Sequence, residues 1–233
     1  MNVRDWLYVE DHCSAIDAVL QRGAPGRVYN IGGSEERTNL DIIRTILAEM
    51  GKSEKLIRHV PDRPGHDRRY AIDSSRARQE LGWQPSYDLD TGIKKNGAVV
   101  RKQPGLVGKA CLPPRSTSVS GGGGTAVKVM ITGAGGRLGG DLQRVLSARH
   151  ELWAVARSGL DVTDADKVHD AVQSYKPDVI VHAAAYTKVD LAETKAAAAY
   201  HVNGFGARNI AEAAESEQAK LVYVSTDYVF LTA

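Results

Sequence analysis

The segment from Lys128 to Gly139 constrains this chain more than any other. Lys128 to Thr132 reads as a short buried strand, and Leu138 to Ala148 as a helix with apolar residues at helical spacing. Between them stands Gly133-Ala134-Gly135-Gly136-Arg137-Leu138-Gly139. The first glycine permits a tight turn, and the middle ones let the backbone approach a pyrophosphate. The last lets the helix pack against the strand, and the free N–H groups at the helix start attract the anion. A glycine turn alone is common, but this strand–turn–helix setting points to nucleotide binding.

The pattern downstream agrees. Leu152 to Ala156 is the second strand, and Asp164 to Tyr175 the helix after it. Asp178 to Ala183 is a third strand, Thr194 to Ser216 contains a long alanine-rich helix, and Lys220 to Ser225 is a last strand. Strands separated by helices of this length build a parallel sheet with right-handed crossovers. The predicted fold class is α/β, a Rossmann-like parallel sheet that is incomplete and is preceded by a smaller α/β subdomain.

Upstream, Asp5 to Val9 is strand-like, Glu10 to Arg22 helical, and Arg27 to Ile31 a short strand stopped by Gly32-Gly33. Thr38 or Asn39 caps a second helix that runs to about Met50, with Gly51 as its stop. Asp73 or Ser74 caps a last short helix ending at Gly82. From Asn96 to Ala126 both periods vanish, replaced by Gln103-Pro104-Gly105, Pro113-Pro114 and four glycines, Gly121 to Gly124. Such a run buries too little to offset its ordering entropy, so it reads as a flexible linker. The expected organisation is therefore residues 1–95, a linker over 96–126, and residues 127–233.

Composition narrows the partners. A net charge of +2 gives no reason to expect a nucleic-acid partner. The sequence also holds no run of about 18 apolar residues and no basic-then-apolar leader. The expectation is a cytoplasmic chain with no nucleic-acid and no membrane partner, homo-oligomerisation being left open. Cys13 and Cys111 lie far apart, which suits two reduced thiols better than a disulfide or a metal site, so no metal is expected.

Glycines at 133, 136 and 139 have the spacing of extended short-chain dehydrogenase/reductases. Where an acidic residue would bind an NAD ribose, the chain has Ala156-Arg157-Ser158. An arginine with a hydroxyl there suits a 2′-phosphate and points to NADP, with NAD retained and a solvated surface arginine as the plain alternative. Residues 127–233 resemble the N-terminal half of the dTDP-4-dehydrorhamnose reductase family. The matching stretches are Leu160-Asp161-Val162-Thr163-Asp164, Ala183-Ala184-Ala185-Tyr186-Thr187, Val202-Asn203 and Ser225-Thr226-Asp227-Tyr228-Val229-Phe230. The resemblance implies that Gly133, Gly135, Gly136, Arg137, Leu138 and Gly139 hold the pyrophosphate. It also implies that Arg157 and Ser158 meet the ribose, and that Asp161 and Val162 border the adenine. By the same resemblance Ala183, Ala184, Ala185 and Tyr186 would line the nicotinamide side, and Thr226 would bond a substrate carbonyl.

Residues 3–95 are similar to another family, the dTDP-glucose 4,6-dehydratases, in their C-terminal part. Val3-Arg4-Asp5-Trp6-Leu7-Tyr8-Val9-Glu10-Asp11-His12, Val28-Tyr29-Asn30-Ile31-Gly32-Gly33 and Asp62-Arg63-Pro64-Gly65-His66-Asp67-Arg68-Arg69-Tyr70 carry this resemblance. It implies a nucleotide-sugar partner, with Arg4 and Arg63 on the diphosphate and Asn39 and His66 nearby. Both families work through a Tyr-x-x-x-Lys pair. None of the nine tyrosines here has lysine four positions on. The expectation is a nucleotide-sugar oxidoreductase-like chain of dTDP-rhamnose biosynthesis that is catalytically incomplete, with Tyr228 as the substitute acid if there is one. The alternatives are a non-catalytic NADP(H) sensor, or an accidental fusion of two truncated enzymes.

Overall fold

The computed structural model describes residues 2–62, 66–102 and 125–226. The chain divides into two compact units, Met1–Lys109 and Ala110–Ala233.

In the first unit, β1 (Val3–Asp5) pairs antiparallel with β2 (Glu36–Thr38), Arg4 opposite Arg37. Helix α1 (Val9–Arg22) turns Cys13, Ala15, Ile16, Ala18 and Leu20 inward, so its buried positions recur at helical spacing. It packs on α3 (Ser75–Leu81) through Ala15, Ala18, Ala77, Leu81 and Trp83. The Asp11 carboxylate is buried and accepts from the Ser86 and Tyr87 N–H groups, at 2.9 and 3.0 Å, tying the segment after α3 to α1. Helix α2 (Asn39–Glu49) starts where sequence predicts: Thr38 Oγ1 accepts from Asp41 N.

Three expectations change here. The strand over 27–31 does not form: Val28 is 63% exposed, and Tyr29 and Ile31 lean on the α1–α3 cluster without a ladder partner. Val9 opens α1 rather than closing a strand. Helix α4 (Leu89–Lys102) forms over Asn96 to Lys102, where linker was expected. Asp88 starts that helix by accepting from Thr91 N at 2.7 Å. The rest of the expected linker, 103–124, lies outside the described residues.

The second unit is a four-stranded parallel sheet ordered β4-β3-β5-β6, with β3 (Lys128–Thr132), β4 (Glu151–Val155), β5 (Val179–His182) and β6 (Lys220–Tyr223). β5 is buried at every position, as a parallel strand covered on both faces must be. Helices α5 (Arg137–Leu146), α6 (Ala165–Tyr175) and α9 (Ala207–Ser216) cover it. Met130, Val155, Val168, Val172, Ile180 and Ile210 form the centre of its core. The helix expected over 194–216 is a relay instead: α7 (Val189–Thr194), α8 (Ala196–Tyr200), a π-helical turn (His201–Gly206) and α9. Lys195, at φ −125° and ψ 43°, breaks the first join.

Candidate functional site

In the sheet, β3 is flanked by β4 on one side and β5 on the other, so the crossover from β3 to β4 and that from β4 to β5 run in opposite directions. A crevice opens at the carboxyl ends of strands at such a switch point. Here it is a cavity of about 450 Å³, a volume suited to a small-molecule site.

Its floor is the glycine loop. Gly133 has φ +75°, a left-handed conformation that disfavours side chains, and a Cβ there would come within 2.7 Å of the Ala183 and Ala184 backbone. Glycine at 133 therefore lets the loop touch the segment that follows β5. A Cβ on Gly139 would lie 2.3 Å from the Gly133 carbonyl oxygen, so this glycine sets how closely α5 approaches β3. The helix begins at Gly136 with no side-chain cap, leaving its first N–H groups directed out of the helix start.

Sequence reasoning named fourteen residues for this site, and the cavity gathers most of them. Gly133, Gly135 and Gly136 line it from the loop. Arg157, Ser158, Asp161 and Val162 line it from the segment after β4, and Ala183, Ala184, Ala185 and Tyr186 from that after β5. Arg137, Leu138 and Gly139 do not line it; they form the first turn of α5. Ala156, Leu160 and Val202 line it without having been expected. Their side chains carry no chemistry that a sequence motif could flag.

Polar bonds shape the walls. Asp161 Oδ1 accepts from Thr163 N at 3.0 Å and from Thr163 Oγ1 at 2.8 Å. Those bonds first, and Arg157 second, hold its carboxyl below the usual range. Asp161 Oδ2 faces Arg157 Nε at 3.5 Å. Asn203, on the π-helical turn, accepts from Tyr186 N at 2.7 Å and donates to Tyr186 O at 3.2 Å, pinning that wall. Asn209 donates to the Val162 carbonyl at 3.0 Å. Behind the wall His182 Nδ1 lies 2.7 Å from Thr132 Oγ1, fully buried, and burial pulls its pKa down to about 4.

Thr226 lies three residues beyond β6, exposed, at the carboxyl edge of the sheet where the glycine loop also sits, but outside the cavity lining. Tyr228 lies outside the described residues.

In the first unit, Arg4 and His66 come together. Arg4 Nη2 lies 2.7 Å from His66 Nε2 and donates to the Asp67 carbonyl at 2.9 Å, while its guanidinium covers the Tyr70 ring at 4.4 Å. His66 Nδ1 faces Asp62 Oδ1 at 2.6 Å. Asn39 joins through its backbone N–H, which donates to the Asn2 carbonyl at 3.0 Å. Arg4 is engaged by neighbours 62 and 63 residues away, which no local motif reveals. Arg63 lies outside the described residues.

The second unit is thus a Rossmann-like α/β sheet with a crevice at its switch point. Residues 127–233 match the family model described as RmlD substrate binding domain, and residues 1–96 match that of GDP-mannose 4,6 dehydratase. One chain therefore carries two segments, each similar to a different nucleotide-sugar enzyme family. The dTDP-glucose 4,6-dehydratase of Escherichia coli is 49% identical over 104 residues, covering 40% of this chain and 29% of that protein. That of Xanthomonas campestris pv. campestris (strain B100) is 51% identical over 100 residues, covering 39% and 28%. Among solved structures, dTDP-4-dehydrorhamnose reductase from Bacillus anthracis, in complex with NADP, shares 47% identity at a TM-score of 0.44. That likeness covers 45% of this chain and 38% of the other. The chain thus spans less than a third of the length of these curated relatives.

No helix among the described residues is long and apolar enough to cross a membrane. Among them no cluster of His, Cys, Asp and Glu has the arrangement of a metal site.

Proposed function

We propose that the second unit binds NADP(H), or NAD(H), and that the chain is a cytoplasmic nucleotide-sugar oxidoreductase-like protein of dTDP-rhamnose biosynthesis with little or no turnover of its own. The observation that carries this reading is the switch-point cavity, lined by the glycine loop, by Arg157 and Ser158, and by Ala183 to Tyr186. The cradle fits a dinucleotide: a side chain at Gly133 would collide with backbone, and a Cβ at Gly136 would sit 3.2 Å from the Gly133 carbonyl oxygen. When bound, the nicotinamide supplies hydride transfer. The residues of the chain then bind and orient it. The α5 N–H groups face the pyrophosphate, Arg157 and Ser158 the ribose phosphate, Asp161 and Val162 the adenine, and Ala183 to Ala185 the nicotinamide. Thr226 offers its hydroxyl to a substrate carbonyl, with Tyr228 the first residue to examine as an acid. Arg4, Asn39 and His66, with Arg63, offer the first unit's contacts to a nucleotide-sugar.

A second reading, a non-catalytic NADP(H) sensor, is favoured by one observation: no tyrosine of the nine is followed four residues on by lysine.

Fluorescence titration with NADPH tests the binding claim. Saturable binding by the wild-type chain is expected, abolished in Gly136→Val, whose side chain takes the place of the pyrophosphate. Equal affinity in the variant refutes the assignment of the loop.

A further inference from the structure

Arg157 and Asp161 lie four residues apart after β4, and both line the cavity. Asp161 divides its oxygens: Oδ1 takes both Thr163 bonds, and Oδ2 is turned to Arg157 Nε at 3.5 Å. Arg157 is 81% exposed, so its guanidinium is at the rim, where a ligand can reach it. The contact is a single long one through Nε, whereas phosphate oxygens engage the guanidinium fork in pairs.

We propose that Asp161 is a specificity-determining residue: its carboxylate occupies Arg157 in competition with a 2′-phosphate, so the preference for NADP(H) over NAD(H) is set by the Asp161–Arg157 pair and not by Arg157 alone. The inference rests on reading the cavity as a dinucleotide site. Two effects act in one direction. A 2′-phosphate must displace the carboxylate from Arg157, and once bound it sits near the negative charge of Asp161. An ion pair this exposed is weak, so the effect on affinity is about three- to fivefold. The bonds from Thr163 keep the carboxylate in place independently of Arg157, which makes Asp161 a fixed competitor rather than a mobile one.

Asp161→Asn removes the charge while keeping an oxygen for Thr163. The probes are 2′,5′-ADP and 5′-ADP, titrated calorimetrically, with NADPH and NADH alongside. The expected result is a three- to fivefold gain in the affinity of 2′,5′-ADP relative to 5′-ADP, and of NADPH relative to NADH. The gain should shrink in 1 M salt, where charges are screened over about 3 Å, and disappear in an Arg157→Met background. A thermal melt of each variant, with Asp161→Ser as a second substitution, separates binding from folding. An unchanged ratio overturns the proposal. So does a gain that persists without Arg157. If the wild-type chain binds neither 2′,5′-ADP nor NADPH, the dinucleotide reading itself fails and takes this inference with it. If the wild type binds both but Asp161→Asn shifts nothing, only the inference fails.

Discussion

Gly139 and Gly140 are neighbours in the first turns of α5, and they obey opposite rules. A Cβ on Gly139 would sit 2.3 Å from the Gly133 carbonyl oxygen and 2.8 Å from Ala134 Cα, both rigid backbone. A Cβ on Gly140 would meet nothing within 4 Å. Glycine inside a helix costs about 0.5–1 kcal/mol relative to alanine, because the unfolded chain has more freedom to lose. Gly140→Ala should therefore stabilise the second unit by roughly that amount. Gly139→Ala must push α5 away from β3, and should destabilise by about 1–3 kcal/mol, the range for overpacked cores. Chemical denaturation of the two variants checks both signs, and a loss of stability in Gly140→Ala would contradict the open space beside it. The same displacement lifts the α5 N-terminus from the cavity floor, so Gly139→Ala should also weaken NADPH binding, whereas Gly140→Ala should not.

Strands β3 and β5 are stitched at their carboxyl ends by Thr132 and His182, directly beneath the residues that line the cavity. His182 is 1% exposed and stacks on the ring of Tyr223, with centroids 5.4 Å apart. Burial disfavours the imidazolium, which lowers the folded pKa from 6.5 to about 4. Between those two values the unfolded chain binds a proton that the folded chain refuses, so stability falls as pH drops through this window. From pH 7 to pH 5 the loss from this group is about 2 kcal/mol. His182→Asn should remove that share of the slope, measured by denaturation at both pH values; an identical slope in the variant would show that other groups carry it. None of this was legible in the sequence, where His182 is one more residue of an apolar strand. What was legible is local. The glycine spacing set the β3–α5 turn, and the apolar run of Val179 to Val181 marked a strand. Strand β2 escaped notice because Glu36-Arg37-Thr38 is polar and forms only by pairing with β1. Helix α4 carries no clear signal in the sequence because Gly92 and Gly97 interrupt its period. Of the cavity lining, the sequence named the loop glycines, Arg157, Ser158, Asp161, Val162 and Ala183 to Tyr186, while Ala156, Leu160 and Val202 reach it only through tertiary packing.

At the scale of the whole molecule, two segments that match different families share one chain, and the question is whether they turn over a substrate together. We predict that the chain oxidises NADPH with dTDP-4-dehydrorhamnose negligibly above background. A positioned acid–base group contributes about 10²–10⁴-fold to such reactions. The lysine that would lower a tyrosine's pKa is missing four residues after every one of the nine tyrosines. Thr226 can polarise a carbonyl by hydrogen bonding, yet a threonine hydroxyl gives up its proton poorly at neutral pH. Its position, exposed and outside the cavity lining, also leaves the carbonyl to be held by other groups. In the first unit, Arg4 already spends its guanidinium on His66, the Asp67 carbonyl and Tyr70, so a diphosphate would have to displace those partners. Losses in positioning of that kind add to the missing acid and can cost several kcal/mol of the barrier. The assay follows NADPH absorbance at saturating cofactor, with Thr226→Val and Tyr228→Phe beside the wild type. Turnover well above background that falls in Thr226→Val would defeat the prediction, and its further loss in Tyr228→Phe would identify the tyrosine as the proton donor. Cofactor binding with flat absorbance in all three proteins is the expected outcome, and it favours the sensor over the reductase.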